Sequence, residues 1–126
     1  MTVEHAVSSY PSLSGYKVFE DYYDSNKRYV DADGKELARL SEWIAYNTVY
    51  ESPEVYADDW DAYTSKSIDV HFFTKSNTTA NSVKISLRNA LRDEGYVIIQ
   101  TQKTYENDSL YYHVIISIQE NSNTEV

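Results

Sequence analysis

The sequence predicts an α+β domain: an antiparallel or mixed β-sheet of about four to five strands, with one long helix packed across it and a short N-terminal helix. Three patterns carry that expectation. Ser67-Ile68-Asp69-Val70-His71-Phe72-Phe73-Thr74 alternates apolar and polar residues, the period of a half-buried strand. Ala80, Val83, Leu87, Ala90 and Leu91 then fall on one arc of a helical wheel turning ~100° per residue. From Leu110 to Ile118 every even position is apolar: Leu110, Tyr112, Val114, Ile116 and Ile118. A helix laid over a sheet is the simplest arrangement that buries all three sets at once.

The remaining elements follow in order. Thr2 to Tyr10 reads as a short helix, with Thr2 as N-cap and Val3, Ala6, Val7 and Tyr10 at i, i+3, i+4 and i+7. Pro11 and Gly15 end it. So short a helix is marginal alone and must dock. Tyr16 to Tyr23 reads as a first strand whose undivided faces point to an edge. Asp24 to Asp33 is polar and turn-rich, and Glu36 to Leu40 is one helical turn or loop. Trp43 to Tyr50 reads as a second strand, broken by Ser52-Pro53 because proline donates nothing to a ladder. Val55 to Tyr63 is an aromatic, acidic connection, of a length that lets the strands on either side pair as a long antiparallel hairpin. Gly95 is placed to end the long helix in a left-handed C′ conformation. Tyr96-Val97-Ile98-Ile99 follows as a strand, and Glu106 to Ser109 as the hairpin turn before the last strand. Residues 1–120 form a single domain and 121–126 a polar, frayed tail.

Composition narrows the function classes. With 126 residues the chain can bury a real core without metal or disulfide staples. It has no cysteine, which excludes thiol catalysis and cysteine-held clusters. No apolar run approaches the roughly 20 residues that cross a bilayer, and the N-terminus lacks a signal-peptide pattern, so a soluble intracellular product is expected. The formal charge of -9 opposes nonspecific binding to nucleic acid or anionic membrane, which needs clustered Lys and Arg. Thirteen tyrosines suit strands and interfaces.

No residue set points to catalysis, a cofactor or a metal. With three glycines there is no phosphate-cradling loop. Asp31-Ala32-Asp33-Gly34 fails as a calcium loop, since the register places Tyr29 at the first ligand position and Leu40 at the bidentate glutamate. His5, His71 and His113 are isolated in sequence. His71 and His113 lie on predicted strands and approach each other if those strands pair, but a metal site would need Asp69 and His71 to face a third ligand, so they are read as solvent-facing strand residues. Asp58 and Asp59 read as a solvated acidic loop. The chain is therefore read as a non-enzyme.

One surface carries more. Lys84, Arg88 and Arg92 form an i, i+4, i+8 basic ridge beside the apolar stripe, with Ile85 projecting near them away from the core arc. The acidic aromatic segment of Tyr56, Asp58, Asp59, Trp60 and Asp61 is its chemical complement. If the two patches lie on different flanks of one subunit, their contact is heterologous, and repeated rotation closes a ring.

These residues also carry a resemblance. Val55-Tyr56-Ala57-Asp58 followed by Tyr63, then Ile68-Asp69-Val70-His71-Phe72-Phe73-Thr74-Lys75, resembles a pattern in small structural proteins of tailed phages and prophages. There a helix, a glycine-preceded strand and a tyrosine-rich closing strand follow, as Val83–Leu91, Gly95-Tyr96-Val97 and Leu110-Tyr111-Tyr112-His113-Val114-Ile115 do here. The chain is similar to head–tail connector and tail-completion (tail-terminator) proteins over most of its length, departing at Asn26 to Leu40, which is longer than usual. The resemblance implies an α+β subunit of a homo-oligomeric ring, commonly a hexamer, in the virion at the head–tail junction after synthesis in the bacterial cytoplasm. Its partners would be the tail-tube and head-connector proteins, with DNA passing through unbound, no membrane, no cofactor and no catalytic residue. A second expectation comes from charge alone: an acidic DNA mimic that inhibits a DNA-binding host protein.

Overall fold

The computed structural model describes residues 1–21, 41–56 and 59–123, with side chains at 1–21, 41–49 and 66–120. Helix α1 (Val3–Ser9) precedes strands β1 (Val18–Glu20), β2 (Trp43–Tyr56) and β3 (Asp59–Thr74); helix α2 (Asn77–Glu94) and strands β4 (Val97–Glu106) and β5 (Tyr111–Asn123) follow. The sheet order is β1-β2-β3-β5-β4. β1 runs parallel to β2, and every other pair is antiparallel, so the sheet is mixed and the fold is α+β.

The predicted helical stripe is the buried face of α2: Ala80, Val83, Leu87, Ala90 and Leu91 are all buried. They join one core with Ile44, Ile68, Val70, Phe72, Val114, Ile116 and Ile118 of the sheet and with Val3, Ala6, Val7 and Leu13 from the N-terminal segment. Both ends of α2 are capped. Ser76 accepts a hydrogen bond from the Thr79 N–H at 3.2 Å. Gly95 sits at φ 111°, and the Tyr96 N–H closes back on the Leu91 carbonyl at 3.1 Å, a Schellman closure. Thr2 caps α1 as expected, its hydroxyl accepting from the His5 N–H at 3.0 Å.

Five strand boundaries differ from the sequence reading. β1 is confined to Val18–Glu20, because the Tyr16 N–H is spent on a turn to the Leu13 carbonyl and Asp21 takes a positive φ of 71°; Tyr22 and Tyr23 lie outside the described residues. Asp24 to Leu40, read as loop with one possible helical turn, lies outside them as well. β2 does not stop at Ser52-Pro53 but runs through it, with Pro53 opposite Thr64. Among the described residues β1 covers β2 only from Ile44 to Tyr46, so Pro53 lies on an edge of the described sheet, where a missing N–H costs no ladder bond. The connection expected over Val55 to Tyr63 is consequently mostly strand, and β2 and β3 form a hairpin with two residues between Tyr56 and Asp59. Leu110 is not the first inward position of the last strand. It lies in the turn with φ 65° and is 58% exposed, its N–H bonded to the Glu106 carbonyl. β5 also continues to Asn123, into the segment read as a tail, because β3 extends far enough to pair Tyr63, Thr64 and Ser65 with Asn123, Ser122 and Asn121.

Thr74 is the polar residue in the core, fully buried at the end of β3. Its hydroxyl donates to Glu42 Oε2 at 2.5 Å and accepts from the Ser76 N–H at 3.1 Å, so burial leaves it satisfied.

Candidate functional site

The outer flank of α2 is positioned by the same period that buries its inner face. Lys84 and Arg88 are half-buried, Ile85 is 52% exposed, and Arg92 is exposed in the last turn, where the helix dipole favours a cation. Asn77 and Asn81 continue the ridge toward the helix start. Both accept from Lys103 Nζ of β4, at 2.7 and 2.8 Å, so the ridge runs beside the β4 edge of the sheet. Arg88 Nε is buried and has no hydrogen-bond partner among the described residues. An unsatisfied buried donor is uncommon and calls for an acceptor. Val97, Ile99 and Tyr105 of β4 are exposed apolar residues on the same margin of the fold.

Of the acidic aromatic segment, the backbone of Tyr56, Asp59, Trp60 and Asp61 is placed at the tip of the β2–β3 hairpin. Their side chains and the whole of Asp58 lie outside the described residues. Ser67 is level, through Gln119, with Val97 at the start of β4. At ~3.3 Å per residue, the tip therefore stands ~26 Å farther along β3. The structure thus places the ridge and the tip at different levels of one subunit.

The opposite face of the sheet holds a chain of four polar side chains from four adjacent strands. Asn47 Oδ1 of β2 lies 2.9 Å from His71 Nε2 of β3; His71 Nδ1 lies 2.7 Å from His113 Nε2 of β5; His113 Nδ1 lies 3.3 Å from Glu106 Oε2 of β4. His71 and His113 are half-buried rather than solvent-facing, because Phe73 stacks on His113 at 4.2 Å and Trp43 on Phe73 at 4.9 Å. Burial pushes both imidazoles below the usual histidine range; His113 presses His71 further down, while Glu106 pulls His113 back up. Asp69 shares this face, but its carboxylate accepts from the Ser117 hydroxyl at 2.8 Å. Among the described residues no three His, Asp or Glu side chains are grouped to hold a metal ion.

The sequence reading missed one further constellation. Ser9 Oγ lies 3.2 Å from His5 Nε2, and His5 Nδ1 lies 2.7 Å from Glu94 Oε1, the order of a nucleophile, base and acid. The i, i+4 spacing of His5 and Ser9 was legible; the arrival of Glu94 from α2 was not. Ser9 closes α1, where carbonyl oxygens rather than N–H groups face outward, and the Tyr10 N–H is spent on the Val7 carbonyl. A developing oxyanion would meet the wrong end of the helix dipole. The group instead clasps α1 to α2: Glu94 also accepts from the Thr2 N–H at 3.2 Å, and its carboxyl is held below the usual range, first by the His5 bond.

Among the described residues no helix is long and apolar enough to cross a membrane. No protein-family model matches the chain, and no curated protein matches it.

Proposed function

We propose that the protein is a structural subunit of the head–tail junction of a tailed phage or prophage, a tail-completion or tail-terminator protein that assembles into a ring capping the tail tube. The tail-tube and head-connector proteins are its neighbours in the virion, and DNA passes through the ring without specific binding. The observation that carries this reading is the ridge on α2: three cations around a half-exposed isoleucine. An acidic, aromatic hairpin tip from a neighbouring subunit supplies the negative charge and apolar surface that complement this ridge. Tip and ridge sit at different levels of one subunit, so the joint between them is heterologous and propagates by rotation. A net charge of -9 suits a lumen that must not hold phosphates.

Sedimentation equilibrium over a wide range of protein concentration tests this joint. The wild type should approach the mass of a closed ring, commonly a hexamer, while Arg88→Glu should stay small. Combining Arg88→Glu with Asp59→Lys should restore assembly. Unchanged assembly of Arg88→Glu would remove this contact from consideration, and tight one-to-one capture of a DNA-binding protein by a monomer would favour the DNA-mimic reading instead.

A further inference from the structure

We propose that Asn47, His71, His113 and Glu106 form a proton-counting chain across the sheet, which accepts one proton with its bonds intact and opens on the second. The three links of the chain need one hydrogen each. Two neutral imidazoles carry two ring N–H groups between them, and the Glu106 carboxylate carries none. In the neutral chain the third hydrogen therefore comes from Asn47, with its amide turned so that the NH₂ faces His71 Nε2. Both rings are then Nδ1–H tautomers: His71 donates to His113, and His113 donates to Glu106. With the Asn47 carbonyl oxygen facing His71, at 2.9 Å, the hydrogen of that link must come from His71 Nε2 instead. Four ring nitrogens now carry three hydrogens, and the pair holds one proton between His71 and His113 at 2.7 Å. Adding one proton is thus its uptake at His71 Nε2 with a half-turn of the Asn47 amide, while both Nδ1–H groups keep their bonds. A second proton makes both rings imidazolium and sets two N–H groups against each other across that 2.7 Å link, which must break.

The groups facing the pair come from every described strand around it. Glu106 on β4 and Asp69 on β3 favour the charged state, and Asp69 is shared with the Ser117 hydroxyl of β5. Phe73 covers His113 from above. Lys75, the nearby cation, lies over the Tyr111 ring 5.2 Å from its centroid, at the end of the same face. Opening would release the side-chain staple across β3, β5 and β4 beneath the Trp43–Phe73–His113 stack. The chain thereby makes this face of the sheet sensitive to acid, independently of the α2 ridge.

The test is a pH titration of the intact protein by ¹⁵N NMR of its histidine rings, which needs no variant. Above pH 7 both His71 and His113 should be Nδ1–H tautomers, the less common form of a free imidazole. The first proton should move the signals of both rings together, and native strand signals should fade only with the second. Asn47→Asp, which can only accept from His71, should raise the first step by about one to three pH units, and Glu106→Gln should lower it. Two Nε2–H rings titrating independently would overturn the proposal. So would stoichiometric Zn²⁺ binding at neutral pH that shifts His71 Nδ1 and His113 Nε2, which would make the pair a metal site.

Discussion

Truncating Leu87 and Ile85 separately measures how sharply α2 divides core from surface. Leu87 is fully buried between the helix and the sheet, whereas Ile85 is 52% exposed two residues away. Leu87→Ala removes about three carbons at about 0.8 kcal/mol each, or about 2.4 kcal/mol of transfer free energy. A residual cavity of roughly 50 Å³ adds about 1.2 kcal/mol, for a total of about 3 to 4 kcal/mol. Ile85→Ala loses on the order of 1 kcal/mol of burial, since half its surface already meets water, and alanine's helix propensity returns about 0.4 kcal/mol. Urea unfolding followed by far-UV circular dichroism at low protein concentration should therefore separate the two midpoints widely, with Ile85→Ala within about 1 kcal/mol of wild type. Equal losses for the two variants would refute the assignment of faces. On the ring proposal Ile85→Ala should also weaken assembly at high concentration while leaving the fold intact, because half of Ile85 is exposed on the proposed contact surface.

Other consequences follow from single contacts. Gly95→Ala forces a Cβ into a backbone with φ 111°, 3.3 Å from Met1 Sδ, and should cost about 1 to 2 kcal/mol in thermal or urea unfolding. Thr74→Val strands the Ser76 N–H and removes the donor to Glu42; a loss of about 1 to 3 kcal/mol by urea unfolding is expected. The Glu94 carboxyl is depressed in the folded protein, so its contribution is present above the ordinary value of 4.5 and is lost as pH falls through the folded value. Glu94→Gln should accordingly be less stable than wild type near neutrality and lose less on acidification, read as melting temperature against pH. His71 and His113 are also depressed, and for a base this favours the neutral form. Their contribution is present above 6.5 and drains away as pH drops below it, so replacing either with glutamine should flatten that part of the same profile.

The helix-facing half of the fold was legible because it rests on periodicity. Every residue of the stripe from Ala80 to Leu91 and every inward β3 apolar residue from Ile68 to Phe72 obeys one local rule, and the caps at Thr2 and Gly95 obey another. The errors arose where an element's neighbours, rather than its own residues, decide its length. Pro53 breaks a central strand but not an edge, and its edge position depends on how little of β2 is covered by β1. Leu110 fits an alternating pattern, yet the four-residue turn needs it at positive φ. The basic ridge was legible as a helical spacing, and the structure adds what spacing cannot show: that Arg88 Nε is buried without a partner among the described residues. The histidine chain was only half legible. His71 and His113 sit on strands that sequence could identify, but Asn47 and Glu106 are brought to them by the order β2-β3-β5-β4.

The same topology bears on how a subunit would meet its neighbours. Besides the outer side of β1, only three residues long, two long strand edges have no partner among the described residues, β4 along its length and β2 beyond Tyr46. Unprotected edges of this length invite strand addition and open-ended aggregation. Both carry features that oppose it: β4 has the irregularity between Ile98 and Gln100 and the cation Lys103, and β2 has Pro53 flanked by Glu51 and Glu54. A sheet defended on both margins is poorly suited to joining its copies through backbone hydrogen bonds. On the ring proposal association would then be left to side chains, and beside the β4 margin those are Ile85, Arg88 and Arg92. Salt should therefore weaken assembly, since screening acts on exposed charge pairs far more than on a β-ladder. Assembly that is insensitive to salt and to Arg88→Glu, but lost when proline replaces Thr101, whose N–H points away from β5, would point to strand addition instead.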